Sequence, residues 1–229
     1  MPGSCVLRGA AGTGHGAAVT VSVAVLDYGA GNLRSAQRAL ERAGAAVVVT
    51  DDAGVARGAD GLVVPGVGHF GQCVNQFVAA GLRTLVEKWV EASRPLLGIC
   101  VGMQILYPSS DESPGVEGLG LLPGTVRRLP DTVTVPHMGW NTVMAQREDP
   151  VLQGVAGEHL YFVHSYAAAP ADPGHVVATC DYGPGFPAVV RVGSVVGTQF
   201  HPEKSADVGA RLLANWVTEV EQARVKVDR

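Results

Sequence analysis

The sequence predicts an α/β domain built on a mostly parallel sheet with helices on both faces. Three observations carry this. Apolar β-branched runs alternate with segments of helical period in the first half of the chain. Strands there are apolar throughout, as strands covered on both sides must be. No Pro/Gly/Ser-rich linker divides the 229 residues, a length one domain accommodates.

Residues 21–26 form the first β-branched run, residues 33–43 show helical periodicity closed by Gly44, and residues 45–50 read as a second strand, completing a βαβ unit. Residues 61–64 make a short buried strand. Residues 70–93 hold helical segments broken near Gly81, and Pro95 precedes another buried strand at 96–99. Beyond Tyr107 the strands become shorter and more alternating, at 125–129, 159–163, 176–180, 188–192 and 194–199, joined by Pro/Gly turns, which adds a smaller antiparallel sheet. An amphipathic helix over 206–220 closes the pattern. Residues 1–20 are rich in Gly and Ala and lack any apolar period, so a disordered extension is expected there. Arg8 stands alone with no apolar core behind it, which makes a secretory signal a poor reading and a cytoplasmic protein the better one; an acid-poor transit peptide is the lesser alternative.

Composition excludes several classes of function. The formal net charge is −4 and the longest basic cluster is Arg127-Arg128, so no basic patch awaits nucleic acid. No apolar run approaches the roughly 18 residues that cross a bilayer. Cys5, Cys73, Cys100 and Cys180 are irregularly spaced with no C-x-x-C, which points to neither a disulfide framework nor a metal site, and no cofactor is indicated. The 30 glycines mean either flexible linkers or places where backbone must approach something closely.

The most informative string is Gly98-Ile99-Cys100-Val101-Gly102. A buried strand ends on a residue flanked by glycines at both i−2 and i+2, and a helix begins at once. This is the form of a nucleophile elbow with Cys in place of Ser. The helix start offers free N–H groups and a dipole that favour a thiolate or an oxyanion. A small buried Cys in a Gly-rich turn is the alternative. A nucleophilic thiol needs a base and the base an orienting acceptor. Those are offered by Gln199-Phe200-His201-Pro202-Glu203 just before the last helix, where an extended backbone would set His201 and Glu203 on the same side. Pro65-Gly66-Val67-Gly68 follows a short strand and leaves backbone N–H groups approachable, as an oxyanion site needs, though an ordinary βα turn is equally Gly-rich. Gln104 stands one helical turn after Cys100. Glu112, in a polar loop, reads by itself as a solvated acid.

Taken together, the elbow Cys, the late H-P-E and the terminal helix resemble the class I, triad-type glutamine amidotransferases, over nearly all the chain from Val21 on. The resemblance implies a flavodoxin-like amidotransferase domain over residues 21–229 that hydrolyses glutamine through a thioester. It implies Cys100 as nucleophile, His201 as base and acid, and Glu203 as orienter, with an oxyanion hole from Gly66, Val67, Gly68 and the N–H of Val101. It also implies L-glutamine held by Gln104, Glu112 and the backbone of His164, Ser165 and Tyr166. Three further strings, Asp27 to Asn32, Pro136-His137-Met138-Gly139-Trp140-Asn141 and Tyr161 to Tyr166, resemble the glutaminase subunits of imidazole glycerol phosphate synthases, enzymes of histidine biosynthesis. That implies docking on a (β/α)8-barrel cyclase subunit that receives the ammonia. Met138, Trp140, Asn141, Tyr161 and Lys204 are the interface candidates, the first two in a segment that reads as irregular. The competing readings are a glutaminase serving anthranilate, purine or pyridoxal phosphate synthesis, a free-standing cysteine hydrolase and a catalytically silent subunit.

Overall fold

The computed structural model of the chain describes residues 20–227, so the extension expected over 1–20 falls, but for Thr20, outside the described residues. Strand β1 (Ser22–Leu26) is followed by α1 (Leu33–Arg42), which buries Ala36, Ala39 and Leu40 at i, i+3 and i+4. Helix α1 ends as its sequence predicts. Gly44 takes φ +97, and the N–H groups of Gly44 and Ala45 close back on the carbonyls of Glu41 and Leu40. Strand β2 (Ala46–Thr50) then pairs with β1 in parallel.

A short helix that periodicity does not reveal follows, α2 (Ala53–Arg57). It buries only Ala56 and so shows no apolar stripe; its signal is the cap, Asp52, whose carboxylate accepts from the N–H groups of Gly54 and Val55. Strand β3 (Gly61–Gly66) is buried throughout and runs two residues beyond the expected end. Helices α3 (Phe70–Ala79) and α4 (Arg83–Glu91) are separated at Gly81, φ +71, where the break was expected. Strand β4 (Leu96–Cys100) runs straight into α5 (Val101–Gln104).

The second half supplies β5 (Gly124–Arg128), β6 (His137–Ala145), β7 (His159–His164), β8 (Tyr166–Pro170), β9 (Val176–Cys180), β10 (Phe186–Val192), β11 (Val195–Thr198) and the helix α6 (Ala206–Val227). One nine-stranded sheet has the order β2-β1-β3-β4-β11-β10-β9-β6-β7. Its strands β2 to β11 in that order are parallel, and each later neighbour is antiparallel to the one before. Strands β5 and β8 form a separate antiparallel pair. The mostly parallel sheet with a smaller antiparallel one is the architecture the sequence predicts.

Two elements of the second half differ from expectation. The segment around Met138 and Trp140 is not irregular but the start of β6, paired with β7 from His137↔His164 to Thr142↔His159. Pro136 and Gly139 mask the alternation; Gly139 adopts φ +135 within the strand. Strand β8 follows β7 after a single residue and is hidden by its run of alanines.

Helix α6 lies over the parallel half through Leu212, Leu213, Trp216, Val217 and Val220, all buried. It comes close enough that a Cβ on Gly61 of β3 would stand 2.9 Å from Val220 and 3.0 Å from Trp216. Each large side chain so buried contributes about 1.5–3 kcal/mol. Behind the site the approach is backbone on backbone. A Cβ on Gly102 in α5 would meet the carbonyl oxygen of Val64 at 1.9 Å, and one on Gly66 would meet the Gly102 nitrogen at 2.2 Å. Strand β3 and helix α5 therefore touch only because both residues are glycine. Gly102→Ala should lower stability to urea by about 1–3 kcal/mol or more; an unchanged unfolding midpoint would contradict this contact.

Candidate active site

Cys100 is both the last residue of β4 and the residue that caps α5. Its backbone sits at φ +53, ψ −115, where side-chain-bearing residues are rarely found. The flanking glycines make that turn sterically possible: a Cβ on Gly98 would press on Met103 Cα at 2.7 Å, and one on Gly102 would strike β3. The elbow geometry is therefore real. The helix behind it is a single turn, so of the dipole and N–H groups expected from the sequence at its start, the N–H groups of its first residues are the main contribution.

Cys100 opens into a cavity of about 610 Å³. Val67, Gly68, Val101, Gln104, Glu112, His164, Ser165, Tyr166, His201 and Lys204 line it as well. Among the sequence candidates Gly66 stands behind this wall, with its Cα against Gly102. Gly31, Asn32, Pro136 and Val163 join the lining without having been singled out for it.

His201 comes to Cys100 because β11 is the sheet neighbour of β4, in register from Val195↔Leu96 to Thr198↔Ile99. Its Nδ1 is 2.8 Å from Glu203 Oε1, with both side chains buried. The pair forms through a 3-10 turn at Pro202–Lys204, not through the extended backbone the spacing suggests. The backbone of His201 is fixed on both sides: its N–H donates to the Tyr161 carbonyl, and the buried Ser205 hydroxyl donates to its carbonyl while accepting from Tyr161 N–H. Ser205 was not a sequence candidate. Its only trace there is a small hydroxyl directly behind H-P-E-K.

His201 Nε2 is buried without a hydrogen bond among the described residues, although Cys100 lies within electrostatic reach. Catalytic hydrogen bonds of this kind commonly tighten only when substrate binds. Burial works to lower the imidazole's pKa, but Cys100 and Glu203 outweigh it and raise it to about 9.

The remaining walls are ordered by short hydrogen bonds. Gln104, almost fully buried, donates from Nε2 to the Tyr166 carbonyl at 2.8 Å and to Gln199 Oε1 at 3.1 Å. Gln199 Nε2 reaches Cys100 Sγ at 3.7 Å. Glu112 is no solvated loop acid: its Oε2 accepts the N–H of Phe70 at 2.7 Å, at the first turn of α3. The segment from Pro65 to Gly68 is braced on either side of Gly66. The Tyr28 hydroxyl donates to the Pro65 carbonyl, and the Cys73 thiol donates to the Val67 carbonyl at 3.3 Å. Cys73 is not a sequence candidate, because a lone Cys in a helix carries no motif, and Tyr28 enters the sequence reading only within the string from Asp27 to Asn32, with no role of its own.

The interface candidates separate into two groups. Met138 and Trp140, 64% and 53% exposed, project from one face of β6. Tyr161 is the register partner of Trp140, their rings 6.0 Å apart, and Lys204 Nζ lies 6.0 Å above the Tyr161 ring. Through Lys204 this surface reaches the cavity. Asn141 is on the opposite face of β6, its amide turned to His137 Nε2 and the Asp181 carbonyl, each at 3.4 Å. Among the described residues no cluster of side chains fit to hold a metal ion is present, and no helix is long and apolar enough to cross a membrane.

The raised pKa of His201 makes a stability statement. A group held protonated in the folded state contributes stability that is fully present below its unfolded value, about 6.5, and lost as the pH rises through about 9. Glu203→Gln should flatten the decline in urea stability across that window; parallel profiles for the two proteins would contradict the pairing.

The family described as "Glutamine amidotransferase class-I" matches residues 24–220. The imidazole glycerol phosphate synthase subunit HisH of Halobacterium salinarum is 51% identical over 213 residues, 90% of this chain and 95% of its own. That of Syntrophotalea carbinolica is 46% identical, covering 85% of this chain and 98% of its own. A crystal structure of a glutamine amidotransferase superposes with TM-score 0.70 at 25% identity, over 87% of this chain and 98% of that one. A chain of PurLQS from Thermotoga maritima, at 21% identity, 92% and 100% coverage and TM-score 0.65, shares the fold. With its elbow cysteine and H-P-E turn in place, the chain is a glutamine amidotransferase and belongs to the HisH family of the class I enzymes.

Proposed function

We propose that this chain is the glutaminase subunit of an imidazole glycerol phosphate synthase, working in the cytoplasm in a heterodimer with a (β/α)8-barrel cyclase subunit. The observation that carries the chemistry is the convergence of the strained Cys100 elbow and the buried His201–Glu203 pair on one cavity.

Glutamine enters with its side-chain amide toward Cys100. Its α-ammonium meets the Glu112 carboxylate, already oriented by Phe70 N–H, and the Gln104 amide oxygen, left over once both Nε2 bonds are made. Its α-carboxylate faces the backbone of His164, Ser165 and Tyr166. With the Cys100 proton on His201 Nε2, the state that the raised imidazole pKa favours, the sulfur attacks the amide carbon. The N–H of Val101 and those of Val67 and Gly68, which line the cavity in front of Gly66, receive the oxyanion. His201 then protonates the departing nitrogen, ammonia leaves, and a γ-glutamyl thioester remains on Cys100. A water molecule gives its proton to His201 Nε2 and attacks the thioester, and glutamate departs with the thiol restored. Glu203, fixed to Nδ1, stabilises the imidazolium and, once ammonia has taken the Nε2 proton, holds the tautomer in which Nε2 accepts from water.

The surface of Met138, Trp140, Tyr161 and Lys204 is our candidate for the cyclase contact, since large exposed aromatic and Met side chains beside the cavity suit a partner that takes up ammonia. Ammonia transferred there serves the formation of imidazole glycerol phosphate and AICAR.

Cys100→Ala should reduce glutamate release by more than about 10³-fold while leaving cyclase turnover with external ammonium unchanged. Wild-type glutamate release from that variant would remove Cys100 from the mechanism. Trp140→Ala should weaken binding of the cyclase by about 2 kcal/mol, roughly thirtyfold in Kd, read by titration calorimetry; an unaltered Kd would place the interface elsewhere.

A further inference from the structure

Beside Cys100 stands a group that the triad chemistry leaves unused. Gln199 is fully buried, just beyond β11 and two residues before His201, and its Nε2 donates to Cys100 Sγ at 3.7 Å. The two ends of a side-chain amide are easily confused, and here the neighbours decide between them. The Tyr166 carbonyl can only accept, so Gln104 must present its Nε2 there. The same nitrogen meets Gln199 at 3.1 Å, so Gln199 presents its oxygen to Gln104 and its N–H groups to the sulfur.

The carbonyl that sets this direction is itself held from the other side. It accepts His164 Nδ1–H at 2.9 Å, which leaves His164 Nε2 as acceptor for His137 Nδ1–H at 3.1 Å. The Asn141 amide, 3.4 Å from His137 Nε2, closes the series on β6. Burial keeps His164 neutral, its pKa lowered to about 3, so this direction does not reverse in the ordinary pH range.

We propose that Gln199 is a further catalytic residue of the glutaminase site, an N–H donor that stabilises and aims the Cys100 thiolate. The proposal rests on Cys100 being the nucleophile. No bond to Gln199 forms or breaks: the thiol proton goes to His201 Nε2, and Gln199 replaces part of the solvation that a buried sulfur anion has lost. As the thioester forms, the charge leaves the sulfur and the N–H···S bond weakens. Its effect therefore falls on how much thiolate is present and where it points, not on the affinity for glutamine.

The test is alkylation of Cys100 by iodoacetamide in the full-length chain, followed by mass spectrometry of the Cys100 peptide across a pH series. Gln199→Met removes the donor at similar volume. Gln199→Glu keeps the shape and the acceptor for Gln104 but replaces the donor with a charge. At neutral pH the Met variant should alkylate about tenfold more slowly than wild type, the Glu variant more slowly still, and both pH–rate profiles should move toward alkali. Glutamine turnover with the cyclase should show a lowered kcat at nearly constant KM. Wild-type profiles in folded variants would overturn the role of Gln199. Because alkylation needs neither glutamine nor partner, that result is distinct from failure of the functional reading, which would appear as wild-type glutamate release by Cys100→Ala.

Discussion

The site depends on one contact, the passage of β3 across the start of α5 with glycine against glycine. Gly66 and Gly102 bring two backbones within a distance no side chain tolerates. Cys100 can then turn through a left-handed backbone conformation and still be enclosed by the sheet. Once that turn is fixed, parallel order does the rest. Strands β3, β4 and β11 are neighbours, so their ends place the segment from Pro65 to Gly68, Cys100 and His201 around one cavity although they are far apart in the chain. Functional groups in open α/β sheets gather at these carboxyl ends for the same reason.

The antiparallel half of the sheet serves two purposes through the two faces of its strands. The inner face of β6 and β7 places His137 and His164 among Phe162, Phe186 and Tyr182, with His137 stacked on Tyr182 at 4.0 Å. Burial there lowers the pKa of both imidazoles, that of His164 to about 3, which favours their neutral forms as directional hydrogen-bonding groups behind the wall of the site. The outer face carries Met138 and Trp140 into solvent. A single period-two strand thus connects a candidate docking surface with the wall that orders Gln104 and Gln199.

Much of this is legible in the sequence where one residue type has one physical reason to be present. Glycine at both i−2 and i+2 of Cys100 is such a case, as are the closure of α1 at Gly44 and the break at Gly81. His201 and Glu203 are legible as a pair, but not the 3-10 turn that joins them, because Pro202 is compatible with either backbone. Strand β6 is obscured by Pro136 and Gly139, and β8 by alanines that declare no face. The roles of Gln199, Ser205, Tyr28 and Cys73 are invisible for a different reason. Each acts through a partner remote in sequence, and such contacts exist only after the sheet order is known. The glycine enrichment, ambiguous at first, divides in the same way: at Gly66, Gly98 and Gly102 it permits close backbone approach around the nucleophile.

The central claim is that Cys100, at this elbow, forms a covalent bond to the glutamyl group. Acid quenching during turnover with glutamine, followed by peptide mass spectrometry, tests it most directly. The account predicts a γ-glutamyl group carried by the peptide containing Cys100. Ammonia release with that peptide unmodified at every time sampled, or with the glutamyl group on another residue, would contradict it.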